Sequence, residues 1–518
     1  MTRDNTDQNV AAAMLSKGAD SAIAILHKNA SVTYAELRDR VARIASGLLA
    51  RGHCKGDRVA ILSENGAFQV VAYLAIIRAG LVAVPLQTEL ATETLVGISN
   101  NAGIKLAFVS KRFQSRVVPW ATQAQIDLIN ESDLGGICRA PLTNFPSIEA
   151  ATDLAALMFT SGSTGLPKGV MVSHRNIACN THDIISYLGL TSADRVMVVL
   201  PFHYCFGASL LHSHLMAGGS LVLDNEFRLY PEATLQEMQR TQCTGLAGVP
   251  STYQILLRKS RFRQMSFPTL RWFQQAGGKL PNAFIQEIIS AFPQVRFFLM
   301  YGQTEATARL SYLPPERLSD KFGSVGCGLP STRLQILRPD GTSVSRGSDE
   351  AGEIVASGDN ITLGYWNDAI ETARFFKNGK LYTGDIARVD EDGFLFIVER
   401  EREIIKCGGH RVSAKEIEDI ISELPDVVEV AVVGAPHELL GESIKAFVLT
   451  VPKAHLSDEA IKIHCRRRLP PFKIPDEVRL VESMPHNSAG KLLKSKLKES
   501  LNPDGLKPDE QKLSPVPS

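Results

Sequence analysis

The strongest chemical signal in the chain is a ten-residue run, Thr160-Ser161-Gly162-Ser163-Thr164-Gly165-Leu166-Pro167-Lys168-Gly169. Small glycines and hydroxyl side chains expose backbone N–H groups without bulk in the way. Such a loop can wrap phosphate oxygens, and Lys168 can add a point charge to it. The apolar residues Leu154 to Phe159 just before it read as a strand. A Walker loop is excluded, because no glycine directly precedes Lys168 and neither Ser nor Thr follows it. The plain alternative is a flexible surface turn. Ten residues this restricted in type, ending in Pro-Lys-Gly, weigh against it.

The elements that must hold this loop follow from periodicity. Tyr34, Leu37, Val41, Ile44 and Leu48 recur at three- and four-residue spacing, which predicts a helix over 33–51. Thr33 with Glu36 reads as its capping box and Gly52 as its stop. A strand is expected at 58–62, a buried helix at 68–78 running into a strand at 81–85, and further strands at 105–109, 196–200 and 220–222. This alternation implies α/β layering with substantial parallel sheet. From Gly323 to Val398 the strands shorten (333–336, 352–356, 394–397) between turns such as Pro339-Asp340-Gly341, as in a small antiparallel subdomain. After the charged run Glu399 to Glu403, a compact α+β unit is expected. Its helix is capped by Ser413 and Glu416 and runs to Leu424; strands follow at 427–433 and 444–451, a helix at 457–468 and a strand at 477–481. The predicted fold is α/β: a large N-terminal domain of layered sheets with a small β-rich subdomain (1–399), a break at 400–402, and a small α+β C-terminal domain (403–501). The Pro- and Lys-rich tail 502–518 has no period and is expected to be disordered.

The chain of 518 residues is 44% hydrophobic and 21% charged, which is soluble-globular composition. A net charge of +1 supplies no field to draw nucleic acid or an acidic membrane surface. The eight cysteines form no CxxC pair, which argues against zinc or a redox motif and fits a reducing, cytoplasmic setting. The first residues show no signal peptide. The apolar stretch 68–86 contains Gln69, Arg78 and Gly80, so a buried helix and strand are expected rather than a membrane span.

Further motifs follow the loop in order: Tyr301-Gly302-Gln303-Thr304-Glu305, Tyr382-Thr383-Gly384-Asp385, Arg400 with Ile404-Ile405-Lys406 and Gly409-His410-Arg411, and Asn487-Ser488-Ala489-Gly490-Lys491. In this series the chain resembles the adenylate-forming superfamily of acyl-CoA synthetases, adenylation domains and luciferases. The resemblance implies an enzyme that joins a carboxylic acid to the α-phosphate of ATP, releases pyrophosphate, and passes the acyl group to the thiol of coenzyme A. An acyl carrier protein, whose phosphopantetheine presents the same thiol, is the alternative acceptor. It implies that Thr160, Ser161, Gly162, Ser163, Thr164, Gly165 and Lys168 grip phosphate. Gly277, Gly278, Tyr301, Gly302, Gln303, Thr304, Ile397 and Arg400 are implied at the nucleotide, and Asp385 at the ribose hydroxyls. Glu305 is implied to hold Mg2+, a hard ion that prefers oxygen ligands. Thr160, Glu305 and Lys491 are the implied catalytic residues, with Lys491 bridging carboxylate and α-phosphate on a mobile C-terminal domain that pivots at Arg402. Lys406, Gly408, Gly409 and Arg411 are implied in the thiol step. Arg402, and His410-Arg411 where several relatives carry an aromatic residue and Gln or Lys, depart mildly from the family.

The same resemblance puts the acid pocket at Phe202, His203, Tyr204, Cys205, Phe206, Gly248, Ala276, Gly277 and Gly302. Many relatives have Tyr-His where this chain has His203-Tyr204, so gating and plain packing both stay open for His203. Amino-acid-activating members carry an Asp here to pair with the substrate ammonium. This chain has no Asp between Pro201 and Leu215, and an unpaired buried ammonium is costly, which excludes an α-amino acid and leaves a neutral-bodied acid as the expectation. A homodimer is left open. Two further classes stand beside the ligase: a non-catalytic ATP-binding module, opposed by intact Glu305, Asp385 and Lys491, and a phosphotransferase, opposed by the failed Walker match.

Overall fold

The computed structural model describes residues 8–160, 167–398, 404–437, 439–487 and 490–501, with the Arg411 side chain left aside. The chain divides into two units. The first holds Met1–Val249, Arg261–Gly278 and Ile289–Val398; the second holds Pro250–Ser260, Lys279–Ile288 and Glu399–Ser518.

Two large sheets and one small one build the first unit. The largest has the strand order Cys327–Gly328, Ser311–Leu313, Arg296–Tyr301, Trp272–Gln275, Gly245–Gly248, Arg195–Val198, Ser220–Leu223, Ile23–His27, Ala30–Thr33. Its central strands run parallel, and only its edges pair antiparallel. The second sheet runs Asp127–Ile129, Leu106–Val109, Arg58–Leu62, Val82–Pro85, Leu154–Thr160, Lys168–Ser173. Its interior strands are buried on both faces, which is why Val82–Pro85 and Leu106–Val109 carry unbroken apolar side chains rather than an alternation. The small third sheet, Thr332–Leu337, Gly352–Gly358, Lys380–Val389 and Phe376–Lys377, with Leu395–Val398 beside Lys380–Val389, is antiparallel throughout. That matches the short, turn-separated strands expected there.

Helices from Val10–Leu15, Tyr34–Ala50, Ala67–Arg78, His174–Leu188 and Cys205–Ala217 contribute the main core and pack on one another. Tyr34–Ala50 opens with the expected box: Thr33 Oγ1 accepts from Glu36 N, and the Glu36 carboxylate accepts from Thr33 N. Ala67–Arg78 and Cys205–Ala217 are apolar nearly all round, and nearly all their residues are buried, as a helix without a polar face must be. The stretch 68–86 is therefore core. Among the described residues, no helix is long and apolar enough to cross a membrane.

In the second unit, His410–Ser413, Ile404–Cys407, Gly441–Thr450 and Val427–His437 form an antiparallel sheet, and Glu477–Val481 adds in parallel to Gly441–Thr450. Ser413 caps Ala414–Ile421 and Ser457 caps Asp458–Arg466. The first of these helices ends at Ile421, three residues short of the expected Leu424. Glu418 is half-buried there. It accepts from the Val432 amide at 2.7 Å and pairs with Lys494 at 2.7 Å, while burial raises its carboxyl pKa. The expected tail 502–518 lies outside the described residues.

The close approach of neighbouring strands gives a stability test. A Cβ on Gly245 would stand 2.0 Å from the Trp272 ring, itself fully buried one strand away. Gly245→Ala is therefore expected to destabilise the first unit by about 1–3 kcal/mol through overpacking. A lowered thermal midpoint of its unfolding transition, with the second unit's transition unmoved, checks this.

Candidate functional site

The parallel sheet changes direction at Arg195–Val198. Its successor in the chain, Ser220–Leu223, lies on one side, and the next strand, Gly245–Gly248, on the other. Connections leaving the carboxyl ends on either side of such a point diverge and leave a crevice. The segments expected to form the acid pocket all leave that edge. Phe202 to Phe206 follow Arg195–Val198, Gly248 ends its strand, Ala276 follows Trp272–Gln275, and Gly302 follows Arg296–Tyr301. Gly277 and Gly278 continue from Ala276 and are exposed.

The bend at Pro201 is pinned by Asn65, which the sequence did not single out. Its Nδ2 donates to the Leu200 carbonyl at 2.9 Å, and its Oδ1 accepts from the Phe202 amide at 3.1 Å. Phe202 and His203 are buried, and the His203 ring lies 4.5 Å from that of Tyr204. Burial pulls the His203 pKa down to about 4, so its imidazole is neutral at physiological pH. Thr304 Oγ1 donates to Cys205 Sγ at 3.4 Å, joining the start of the Cys205–Ala217 helix to the Tyr301–Glu305 segment. Burial raises the pKa of that thiol.

Tyr301 and Asp385 are brought together from different sheets: the phenol donates to Asp385 Oδ2 at 2.7 Å, and both residues are buried. Ile397 lies on the strand paired with that of Asp385 and is partly exposed. Gly302 admits no larger residue, since a Cβ would stand 1.9 Å from the Ala308 carbonyl oxygen. Gln303 Nε2 is buried and has no hydrogen-bond acceptor among the described residues.

The two ends of the run Thr160–Gly169 lie on neighbouring antiparallel strands. Thr160 pairs with Lys168 across antiparallel strands Leu154–Thr160 and Lys168–Ser173. Ser161, Gly162, Ser163, Thr164 and Gly165 lie outside the described residues. Residues 363–366 run along the return strand: the Met171 amide donates to the Gly364 carbonyl at 2.9 Å and the Trp366 amide to the Gly169 carbonyl at 2.7 Å. This places Tyr365 beside Lys168, whose ammonium lies 5.5 Å from the ring centroid. Lys168 also pairs with Glu371, and that hydrogen bond holds the Glu371 carboxyl below the usual carboxylate range. Tyr365 donates its hydroxyl to Glu305 Oε1 at 2.8 Å. Burial first, and then the Glu305 charge, push the phenol pKa up, so Tyr365 stays a donor. The Glu305 carbonyl accepts from the Thr362 amide and hydroxyl at 3.0 and 2.9 Å. Tyr365 thus links two residues that the sequence reading treated separately. Nothing in spacing or periodicity marks it.

In the second unit, Lys406 is exposed on Ile404–Cys407, and Gly408-Gly409 form the two-residue turn to His410–Ser413, both with positive φ. Arg411 stands opposite Lys406 in register. Lys491 is exposed at the end of a loop closed by Asn487. Its amide donates to Asn487 Oδ1 at 2.9 Å, and Asn487 N donates to the Lys491 carbonyl at 2.9 Å. Arg400 and Arg402 lie outside the described residues.

The sequence matches the family described as AMP-binding enzyme over residues 12–366, and the AMP-binding enzyme C-terminal domain over residues 416–491. It is 30% identical to a feruloyl-CoA synthase of an Amycolatopsis species over 486 residues, covering 92% of this chain and 95% of the relative. It is 31% identical to a long-chain-fatty-acid–CoA ligase of Salmonella typhimurium over 516 residues, covering 90% of each. Among solved structures it resembles o-succinylbenzoate CoA synthetase from Bacillus subtilis. Bound to its acyl-adenylate intermediate, that enzyme superposes with a TM-score of 0.81 at 28% identity, over 95% of this chain and 98% of that one. Bound to ATP and a magnesium ion, it superposes with a TM-score of 0.82 at 28% identity, over 95% and 99%.

Three buried histidines around this site make a pH test. Burial lowers the pKa of His203 to about 4, of His212 to about 3 and of His214 to about 4. The unfolded chain takes up their protons below about pH 6.5 while the folded chain does not. Stability is therefore complete above that pH and falls as pH drops toward 4, by about 1.4 kcal/mol per pH unit for each histidine. Thermal midpoints measured across this window should decline, and His214→Leu should flatten the decline.

Proposed function

The chain belongs to the AMP-binding enzyme family, and we propose that it activates a carboxylic acid other than an α-amino acid as acyl-AMP and transfers the acyl group to coenzyme A. The observation that carries this reading is the contact chain Glu305–Tyr365–Lys168, which assembles a carboxylate and a cation beside the loop 160–169. An acid–thiol ligase must bring two anions together, so it needs fixed positive charge at the phosphates and an anchor for the nucleoside. Lys168 and the loop amides supply the first. Asp385, aimed by Tyr301, accepts the two ribose hydroxyls, and the orphaned Gln303 Nε2 offers a donor to the nucleotide.

Among the described residues there is no cluster of three or more His, Cys, Asp or Glu side chains that would cage a metal. That suits Mg2+, which binds through one or two carboxylates while substrate phosphates and waters fill its remaining positions. Glu305 is the residue that would hold it, because Tyr365 occupies only Oε1. When bound, the ion neutralises phosphate charge. Tyr365 fixes the Glu305 rotamer, and Thr362 fixes its backbone.

Lys491 meets the reacting carboxylate and α-phosphate during adenylation, and residues 400–402 with Arg402 serve as the hinge of the second unit. Lys406, Gly408, Gly409 and Arg411 serve the thiol step, for which the exposed glycine turn leaves backbone open to the pantetheine arm. All eight cysteines are free thiols, which supports a cytoplasmic location.

Acid-dependent exchange of pyrophosphate into ATP tests the first half-reaction, and acyl transfer to coenzyme A against a phosphopantetheine carrier protein tests the second. A folded protein that exchanges with no acid would falsify the ligase reading. Lys491→Ala is expected to slow adenylation by roughly 10²- to 10³-fold while sparing thiol transfer from pre-made acyl-adenylate. Equal loss of both half-reactions would remove Lys491 from its assigned role.

A further inference from the structure

Arg309 is a buried cation whose partners among the described residues are all neutral. It lies four residues past Glu305, between the strand Arg296–Tyr301 and its antiparallel neighbour Ser311–Leu313, and is 2% exposed. Its Nη1 donates to the Tyr187 hydroxyl at 2.5 Å and its Nη2 to Ser209 Oγ at 3.1 Å, while the guanidinium carbon lies 5.0 Å from the Phe206 ring centroid. Nε is buried without an acceptor, and among the described residues no Asp or Glu pairs with Arg309. Both terminal nitrogens therefore bond only to neutral hydroxyls, and the Nε–H donor is left over in the interior. Arg258, also largely buried, shows the usual arrangement: both its terminal nitrogens bond to the Glu287 carboxylate.

The chain goes to some length to hold Arg309 there. Thr307 has φ +67 and ψ −37, a region that β-branched residues avoid, and the Ala308 amide donates to the Ala306 carbonyl at 2.7 Å across it in a tight γ-turn. Thr307 Oγ1 donates to the Asn360 carbonyl at 2.7 Å and stabilises the strained turn. The Arg309 carbonyl accepts from Asn180 Nδ2 at 2.8 Å and Asn360 Nδ2 at 3.1 Å. The turn sends the chain back from Glu305 and delivers the guanidinium onto the Cys205–Ala217 helix, at the aromatic wall formed by Phe206.

An unpaired buried charge is unfavourable unless something that binds there completes it. The planar fork of a guanidinium matches a carboxylate with two parallel hydrogen bonds. We propose that Arg309 is a specificity-determining residue that pairs with a second carboxylate of the acid, so that the substrate is a dicarboxylic acid adenylated at its other carboxyl. The proposal rests on the acid-activating reading above and replaces the neutral-bodied acid expected from the sequence. It also gives a positive reason for excluding an ammonium-bearing acid, which Arg309 repels.

The test uses the full chain with ATP and Mg2+, and measures pyrophosphate exchange with straight-chain and aryl monoacids, each matched in length to its diacid. A diacid is expected to exceed its matched monoacid by roughly 30-fold in kcat/KM. Arg309→Met, which keeps the length without the charge, should lower kcat/KM for the diacid by that factor and raise it for the monoacid. A merely structural arginine would lower both together, and that outcome overturns the proposal. Should Arg309→Met fail to fold, Ser209→Ala carries the same test, with a loss for the diacid larger than for the monoacid. Wild-type preference for monoacids refutes the dicarboxylate and leaves acid activation standing; exchange with neither series refutes both.

Discussion

A parallel strand whose neighbours are reached in opposite directions cannot be capped by a single connection. Arg195–Val198 is such a strand, with Ser220–Leu223 on one side and Gly245–Gly248 on the other. The gap above its carboxyl end exists because of chain direction alone, before any side chain is considered. The site residues of the large sheet inherit their position from it. The Pro201 bend, the Gly248 strand end and the Tyr301–Glu305 segment converge because parallel strands all finish at the same edge. The β-rich sheet then adds Asp385 from the side, bound to Tyr301.

The charged groups Lys168 and Glu305 are each held by a local contact. Lys168 is held by Glu371 and Glu305 by Tyr365, and the chain as a whole carries a net charge of only +1. A global field would be a poor tool for joining two anions, since it would be screened within about 10 Å at ordinary ionic strength. Short, oriented contacts in a partly buried site keep their strength. Glu371 holds Lys168 in place. Arg309 differs: among the described residues its partners are the neutral Tyr187, Ser209 and Phe206.

Much of the scaffold was legible in the sequence, because its signals are local. The Thr33–Glu36 box, the strand Arg58–Leu62 and the helix inside 68–86 follow from spacing and burial pattern, and the structure has them within a residue or two. Where a boundary moved, as at Ile421 against the expected Leu424, the end of a helix had no strong stop signal such as glycine to read. The order of the motifs from Thr160 to Lys491 was also legible, and with it the family.

What the amino-acid sequence determined by itself was therefore the kind of element and the class of enzyme, since each depends on residues near one another in the chain. Only the tertiary structure decided that Thr160 pairs with Lys168 across antiparallel strands, that Tyr365 connects Glu305 to Lys168, that Asn65 pins the Pro201 bend, and that Arg309 is buried beside Phe206 with, among the described residues, no carboxylate partner. Those contacts join residues separated by long stretches of chain. They arise from strand register and sheet order, which no local pattern encodes.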